Sequence, residues 1–445
     1  MIGRLFLLWI AAAAPAAAQL DARSEARIDG AVTSFMARER VPSVAVVALR
    51  DDAVLLRRGW GAGSVDRIQP IYSVSKHITA ALVVDLARRG QVDLDAPVGR
   101  YLPKWFADEP DLKLHHLLHQ TSGLAEFVRL PEALAVEAAP AGTGSLADLV
   151  RLIDHQPRRF RPGARHAYSN ANFTLLALIA ERRGADSFDA LQRRRLFAPL
   201  GLRRMGECAG MDRTDLAPGH GRDGGEVSLP PNPHPTFAGN GGICASATEL
   251  ARWMRALGSG RLPGGPLVRG MRSGPRVKAG YRPPYAFGLS LKPLLGSPAY
   301  WHAGVDEGWA AFAAYLPRER LTLIVLADRG WLWTTDVALP ILRALLDRPE
   351  PEPLERLALT GLEREALNGE YEDGLFNIAV KTEADRLWLS VPAFGEPIEM
   401  WRQRDERFVS PARPDTFSLR LGAHGPELDW AEHRSYLVRK GGQRP

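Results

Sequence analysis

The stretch that decides the fold is SVSKHITAALVVDLARRG, residues 73–90. Its apolar side chains recur at helical spacing, which predicts an amphipathic helix with one buried side. The residues on that side are Ile78, Leu82, Val83 and Leu86. Gly90 is placed to end the helix, because glycine readily adopts the left-handed backbone that follows a last helical turn. Ser73 and Lys76 lie at the other end, and their spacing puts both polar side chains on one helix face.

This pair is the first sign of chemistry. A serine hydroxyl is a weak nucleophile and needs a base to activate it. A lysine amine is an effective base only when its pKa falls well below the ordinary value of about 10.4, as burial or a nearby cation can cause. The start of a helix adds a partial positive field and backbone N–H groups beside the serine. Alone, the spacing fits equally well a helix-capping serine followed by a solvated lysine.

Two further triplets bear on whether Ser73 and Lys76 are a catalytic pair or a helix cap with a solvated lysine. Tyr168-Ser169-Asn170 follows Arg161-Pro162-Gly163, and His302-Ala303-Gly304 begins a predicted strand. A tyrosine phenol can relay a proton between the serine and a leaving group, and an asparagine amide can bind an acyl group. A histidine at a strand start can offer a cation or a donor to a substrate carboxylate, or assist the proton relay. Taken singly, each triplet also fits a structural role, as a turn with a half-buried tyrosine or as a packed histidine.

In this order the three elements resemble the motifs of the serine β-lactamase and penicillin-binding-protein superfamily, S-x-x-K, [SY]-x-N and [KH]-[TSA]-G. Residues 117–124, LLHQTSGL, are similar to its LLxHxSGL segment, with one extra residue before the serine. Residues 239–242, GNGG, are similar to its Gly-Gly loop. The resemblance runs from about Val41 to Ala327 and therefore covers most of the larger predicted domain.

The resemblance implies roles for individual residues. Ser73 is the expected site of acylation, and Lys76 and Tyr168 are expected to share the proton transfers, with His302 as a further catalytic residue. The expected oxyanion hole consists of the backbone N–H groups of Ser73 and Val305, and such donors typically contribute about 3 kcal/mol each to the transition state. The residues expected to bind substrate are Asn170, Gly304 and Val305.

The third motif distinguishes branches of the superfamily. Tyrosine in the second motif resembles class C β-lactamases, D-aminopeptidases, some D,D-carboxypeptidases and certain carboxylesterases. His302, where many members have lysine, resembles the D-aminopeptidases and the esterase-like members. We therefore expect an exported serine hydrolase that cleaves an amide or ester bond through an acyl-enzyme. Two alternatives stay open: a true class C-like β-lactamase, and a non-catalytic peptidoglycan-binding or sensing protein with the same fold.

The predicted fold class is α+β. Two early strands and three late strands, with helices between them, predict one antiparallel sheet flanked by helices, as in the β-lactamase/transpeptidase-like fold, with a helical subdomain inserted. These five predicted strands are 43–49, 54–60, 285–291, 310–315 and 321–327. Short strands in the last hundred residues predict a small all-β, barrel-like module. The predicted boundaries are 1–18 for a signal peptide, 19–347 for the hydrolase domain, 348–360 for a proline-rich linker and 361–445 for the C-terminal β-rich domain.

The N-terminus is typical of a secretory signal peptide. Arg4 supplies a positive charge, residues 5–14 are apolar, and Ala16-Ala17-Ala18 offers small residues for cleavage before Gln19. An uncleaved anchor is the alternative. The prediction is a secreted or periplasmic protein without a stable membrane anchor after cleavage. The chain has two cysteines, Cys208 and Cys244, and the sequence leaves their pairing open.

Charge and histidine spacing bear on partners and cofactors. The net charge is +6 and the pI about 9.4, yet basic and acidic residues alternate, so no nucleic-acid partner is expected. His115 and His119 have metal-ligand spacing on a helix, but no third ligand accompanies them, and we predict neither a metal nor a cofactor. The expected partner is a small-molecule or peptide substrate, for which a peptidoglycan fragment is one source.

Overall fold

The computed structural model describes residues 20–128, 130–138, 145–228, 238–262, 276–278, 280–372, 376–413, 417–422, 425–430 and 433–439. The predicted signal peptide and Gln19 lie outside these ranges. Across the described ranges, no helix is both long enough and apolar enough to cross a membrane.

The first sheet is antiparallel and has seven strands. In spatial order they are Ala53–Gly61, Ser43–Arg50, Leu321–Ala327, Ala310–Leu316, Tyr300–Val305, Leu289–Ser290 and Tyr285–Ala286. The early hairpin pairs with a late strand in a register that sets Val44 opposite Ala327 and Arg50 opposite Leu321. This confirms the predicted sheet, which draws its strands from both ends of the domain.

The two faces of this sheet belong to two cores. Along Ser43–Arg50, alternate side chains point to opposite faces, as the pleat requires. Ala45, Val47 and Leu49 belong to the larger core, to which the inserted helices also contribute. The residues between them, Val44, Val46 and Ala48, belong to a second core on the opposite face. That second core contains the inner sides of the helices Ala22–Glu39 and Thr335–Leu345. The sheet is thus a buried middle layer with helices on both faces.

Most of the helices lie between the early and the late strands of the first sheet. The α-helices of the described residues are Ala22–Glu39, Lys76–Arg88, Pro103–Phe106, Leu114–Leu118, Pro131–Ala138, Leu146–Asp154, Ala171–Gly184, Phe188–Gln192, Ala247–Gly258, Thr335–Leu345 and Gly361–Leu367. A small sheet of Ile68–Pro70, Ile243–Ser246 and Met205–Glu207 lies at the start of the nucleophile segment. Cys244 of this sheet forms a disulfide with Cys208, the residue after Met205–Glu207, which settles the pairing that the sequence left open.

Two predicted elements differ from the structure. Ser73 lies in a 3₁₀ turn, Tyr72–Ser75, and the α-helix begins only at Lys76. The predicted strand 285–291 is interrupted by a turn with positive φ at Phe287 and Gly288. A Cβ on Gly288 would collide with the backbone of Lys76 and His77, so the turn brings this edge of the sheet against the nucleophile helix.

The second sheet is antiparallel and has nine strands. In spatial order they are His433–Tyr436, Gly425–Trp430, Phe417–Gly422, Phe408–Val409, Ile398–Arg402, Arg386–Ser390, Asn377–Glu383, Gly369–Glu372 and Val438–Arg439. Leu437 alone separates the two strands at its opposite edges, so the sheet curls into a barrel around an apolar core. This confirms the barrel-like expectation, whereas the boundaries of 19–347, 348–360 and 361–445 stay predictions.

Candidate active site

Ser73 is presented by a turn that is held from both sides. The residue before it, Tyr72, has a φ of 45°, a left-handed conformation that is uncommon for a bulky side chain and is often found at functional sites. The Tyr72 hydroxyl donates to the carbonyl of Glu307. The Tyr72 ring packs in a small apolar cluster with Trp309 and the Cys208–Cys244 disulfide. These contacts stabilise the strained turn and fix the direction of the Ser73 hydroxyl.

Lys76 lies directly behind Ser73 and its side chain is fully buried. Its Nζ is 2.8 Å from Ser73 Oγ. The same nitrogen is 2.7 Å from Asn170 Oδ1 and 2.7 Å from the carbonyl oxygen of Asn240. All three of these partners are neutral oxygens. The structure therefore brings together the two residues of the first motif and the asparagine of the second.

Tyr168 approaches Ser73 from the other side. Its hydroxyl is 2.9 Å from Ser73 Oγ, and Lys76 Nζ lies 5.0 Å from the centre of its ring. A cation over an aromatic face is stabilised by the ring quadrupole. The tyrosine is 7% exposed. Ser73 Oγ thus lies between an amine and a phenol, each within hydrogen-bond distance.

Asn170 is fixed by a carboxylate that the sequence did not single out. Glu126 Oε2 accepts from the backbone N–H of Asn170 at 2.9 Å and from its Nδ2 at 3.0 Å. The other Glu126 oxygen accepts from the backbone N–H of Phe127 at 2.8 Å. Because a carboxylate only accepts, Asn170 must turn its amide oxygen toward Lys76. Glu126 accepts one of the two hydrogens on Nδ2, and binding of a substrate carbonyl by the other stays a prediction.

A second partner of the site comes from the GNGG segment. The carbonyl of Asn240 contacts Lys76, and the Asn240 side chain donates to Thr174 Oγ1 at 2.9 Å. Gly239 accepts from Thr79 at 2.6 Å. This segment is therefore pinned between the helices Lys76–Arg88 and Ala171–Gly184. The sequence suggested the segment by resemblance, but a backbone carbonyl leaves no signature in a sequence.

Gly304 lets the strand Tyr300–Val305 approach the nucleophile turn. A Cβ on Gly304 would collide with the carbonyl of Ile71 and lie 3.0 Å from the backbone nitrogen of Ser73. Only glycine permits this approach without a shift of one segment. The approach brings the strand end, with Val305, beside the turn that carries Ser73, as the predicted oxyanion hole requires.

His302 occupies a different environment from the one expected. Its ring is fully buried, with Nε2 3.0 Å from the Tyr285 hydroxyl and Nδ1 against the carbonyl of Ala303. Burial, followed by the nearby Lys76 charge, holds the pKa of His302 well below its ordinary value. The neutral ring then donates from Nδ1 to the carbonyl and accepts at Nε2 from the tyrosine. Both ring nitrogens thus face groups of the protein, and the catalytic role of His302 stays a prediction.

The two histidines with metal-ligand spacing use different partners. His119 Nδ1 is 2.7 Å from the carbonyl of His115, and His115 Nδ1 is 2.9 Å from Asp95. Burial lowers the pKa of His119 to about 4, so this ring is neutral near pH 7. In the part of the chain that the structure describes, no group of three metal-ligating side chains is found.

Comparisons with known proteins agree with this geometry. The beta-lactamase family model matches residues 28–340. A D-aminopeptidase from Gluconobacter oxydans is 31% identical over 315 residues, which are 68% of this chain and 58% of that protein. A D-aminopeptidase from Brucella anthropi is 30% identical over 296 residues, which are 64% of this chain and 56% of that protein. The chain thus spans a little over half the length of these curated relatives.

Solved structures share the fold. The penicillin-binding protein homologue from Pyrococcus abyssi superposes with a TM-score of 0.65 at 21% identity, over 93% of this chain and all of that one. A D-stereospecific amidohydrolase from Streptomyces sp. superposes with a TM-score of 0.62 at 23% identity, over 72% of this chain and 97% of that one. The family match includes Ser73, Lys76, Tyr168 and His302, and this chain belongs to the beta-lactamase family of serine hydrolases.

Proposed function

We propose that this protein hydrolyses amide bonds of D-amino acid derivatives through an acyl-enzyme on Ser73. The observation that carries the proposal is the position of Ser73 Oγ, 2.8 Å from Lys76 Nζ and 2.9 Å from the Tyr168 hydroxyl. The choice of substrate rests on relatives named D-aminopeptidase, from Gluconobacter oxydans and Brucella anthropi. A carboxylesterase activity is the nearest variant, because the same acyl-enzyme forms from an ester.

Lys76 acts as the base in its neutral form, and its three contacts accommodate a neutral amine as well as an ammonium. A neutral amine has two N–H donors and one lone pair, whereas an ammonium has three donors and no lone pair. The carbonyl of Asn240 and the amide oxygen of Asn170 accept two donors. The lone pair is then directed at the hydroxyl hydrogen of Ser73. Lys76 can therefore take this proton as the serine oxygen attacks.

Acylation follows from these positions. Ser73 Oγ adds to the substrate carbonyl carbon while its proton passes to Lys76. The negative charge that develops on the carbonyl oxygen is stabilised by the backbone N–H groups of Ser73 and Val305. Tyr168 gives its phenol proton to the leaving nitrogen, the C–N bond breaks, and the proton on Lys76 returns to Tyr168. Water then attacks the ester by the reverse of this path and releases the acid.

The neutral state of His302 argues against the β-lactamase alternative. A lysine at this position would carry a fixed charge that attracts a substrate carboxylate, whereas a buried neutral imidazole offers none. The Nε2 atom of His302 also faces the Tyr285 hydroxyl, so it is not available to a substrate carboxylate in this arrangement. Penicillins, which carry a carboxylate, should therefore be poorer substrates than D-aminoacyl amides.

A substrate panel tests the proposal on the mature protein. It should contain D-alanyl p-nitroanilide, its L isomer, p-nitrophenyl acetate, a D-Ala-D-Ala peptide and nitrocefin. We expect the D anilide to be cleaved faster than its L isomer and far faster than nitrocefin. Faster cleavage of nitrocefin would favour the β-lactamase alternative. Labelling of Ser73 by a fluorophosphonate without turnover of any substrate would favour the binding or sensing alternative.

The proposal includes export. The Cys208–Cys244 disulfide supports it, since disulfides persist mainly in oxidising compartments. Mass spectrometry of the protein from its native host should find a mature chain that begins at Gln19. Intact Met1 on a cytoplasmic protein would contradict export.

Glu126→Gln tests the orientation of Asn170. The new amide has one oxygen for the two sets of donors that the carboxylate serves, the backbone N–H groups of Phe127 and Val128 and the N–H groups of Asn170. When that oxygen stays with the backbone donors, the N–H groups of the amide face Asn170, so we expect the Asn170 amide to turn over and present Nδ2 to Lys76. That donor would occupy the lone pair needed for Ser73. We expect kcat to fall about 10- to 100-fold, at or below the lower limit of the roughly 10²- to 10⁴-fold that a positioned base contributes, with little change in KM.

Glu132→Gln is the matched control, because Glu132 is an exposed acid on the next helix, Pro131–Ala138. It should leave both constants unchanged. An unchanged kcat in Glu126→Gln, or an effect confined to KM, would show that Glu126 does not act through Lys76.

A further inference from the structure

One of the contacts between the C-terminal barrel and the hydrolase domain is made by an aromatic turn, Pro392–Phe394. The ring of Phe394 stacks on Trp333 with centroids 3.9 Å apart, and meets Trp331 edge-on at 6.1 Å. Arg222 Nη1 donates to the carbonyl of Pro392 at 3.1 Å. Aromatic pairs of this kind are worth more than the area they bury. This contact therefore orders the segment that contains both tryptophans.

The same segment also contacts the turn that contains Glu307. Trp331 Nε1 donates to Glu307 Oε2 at 2.8 Å. A Cβ on Gly330 would collide with the backbone of Asp306 and Gly308, so the two segments are in direct contact. Residues 330–333 thus form a layer between the Pro392–Phe394 turn and the turn that contains Glu307.

The Glu307 turn connects directly to both predicted oxyanion donors. It begins one residue after Val305, at the end of the strand Tyr300–Val305. The carbonyl of Glu307 accepts from the hydroxyl of Tyr72, the residue before Ser73. A displacement of Glu307 would therefore move the backbone N–H groups of Val305 and Ser73 relative to one another.

We propose that the Pro392–Phe394 turn is a positioning element for the oxyanion hole. Phe394 fixes Trp331, and Trp331 fixes Glu307 between the strand end and the nucleophile turn. None of these side chains contacts the reacting atoms, so they act through backbone geometry. The inference rests on the proposed acyl-transfer function and gives the C-terminal module a part in it.

The module has other attachments that do not lead to the oxyanion hole. Arg413 pairs with Asp336 at 3.0 Å, and both side chains are largely buried. Lys292 pairs with Asp429 at 2.5 Å. Because these pairs hold the barrel in place, removing the Phe394 ring should loosen the turn without releasing the module.

Phe394→Ala and Trp331→Phe test the proposal in the full chain. The second variant keeps an aromatic ring but removes the N–H that holds Glu307. We expect each to lower kcat about tenfold on D-alanyl p-nitroanilide with little change in KM, less than the 10²- to 10³-fold loss from deleting a donor outright. Phe394→Tyr keeps the aromatic ring and should therefore have the kcat of the unsubstituted protein. Asp429→Asn, which weakens the other attachment, should leave kcat unchanged.

A boronic acid that forms a tetrahedral adduct on serine supplies the second readout. Its affinity should fall in parallel with kcat/KM across the variants, because both depend on the oxyanion hole. Weaker thermal stability with unchanged kcat and unchanged boronate affinity would overturn the inference. Absence of turnover by the unsubstituted protein would instead refute the proposed function, so the two failures are distinguishable.

Discussion

Replacing Lys76 by alanine is expected to lower kcat/KM by at least about 10³-fold, because Ser73 then lacks the base that takes its proton. Labelling of Ser73 by a fluorophosphonate should become undetectable on the same time scale. Lys76→Met, which retains most of the side-chain volume in this fully buried position, should have the same effect. Stopped-flow kinetics and intact-protein mass spectrometry measure the two losses.

Three further variants test whether the loss of activity is specific to the Ser73–Lys76 pair. Lys104→Ala removes an exposed lysine and should change nothing. Ser73→Ala should lose as much activity as Lys76→Ala, and the double variant should be no worse than either, because the two residues act as one unit. More than about a tenth of the activity retained in either single variant would contradict the mechanism. Thermal unfolding of each variant separates chemical loss from loss of the fold.

The sequence predicted best those parts of the structure that local patterns determine. The strands Ala310–Leu316 and Leu321–Ala327 are buried along their whole length and stand out as continuous apolar runs. The spacing of Ser73 and Lys76 likewise determines their distance within one turn. The start of the helix was missed because its first turn is 3₁₀, and a serine and a lysine fit either kind of turn.

Contacts between distant segments were beyond the reach of a single sequence. Lys76 and Asn240 are 164 positions apart, and Asn170 and Glu126 are 44 apart. No composition or periodicity relates such pairs, and a glutamate two residues after a glycine-leucine dipeptide is ordinary in a loop. The break in the strand at Gly288 also depends on a distant contact, because Gly288 packs against the backbone of Lys76 and His77, about two hundred residues earlier.

The environment of His302 shows the limit of motif reasoning most directly. The motif gives the residue type, while the charge state depends on burial and on Tyr285. In lysine-containing relatives of the superfamily the corresponding side chain is expected to face the substrate. Here the imidazole is buried and its Nε2 faces the Tyr285 hydroxyl, which the motif alone does not predict.

His302→Lys should consequently destabilise the protein instead of converting it to a β-lactamase. The ammonium would be placed in a fully buried site that is already close to the charge of Lys76. An uncompensated buried charge costs about 3–5 kcal/mol, so we expect a loss of unfolding free energy of this order, measured by urea denaturation at pH 7. Nitrocefin hydrolysis should not increase.

His302→Gln is the matched control, since its amide oxygen can still accept from Tyr285. Comparison with this variant also isolates the contribution of His302 to the pH dependence of the free energy of unfolding. The unfolded state takes up a proton on His302 near pH 6.5, whereas the folded state, in which the pKa of His302 is depressed, does not. Stability that depends on this histidine is therefore present above pH 6.5 and is lost as the pH falls, by up to about 1.4 kcal/mol per pH unit.

The difference in unfolding free energy between the natural protein and His302→Gln should shrink by this slope between pH 6.5 and pH 5. The pH dependence of kcat/KM should be the same for His302→Gln as for the natural protein, because a ring that stays neutral does not titrate in this range. If the free energy of unfolding had the same pH slope in the two proteins, His302 would titrate alike in the folded and the unfolded state. Faster nitrocefin cleavage by a stable His302→Lys protein would mean that position 302 faces the substrate, and would restore the β-lactamase interpretation.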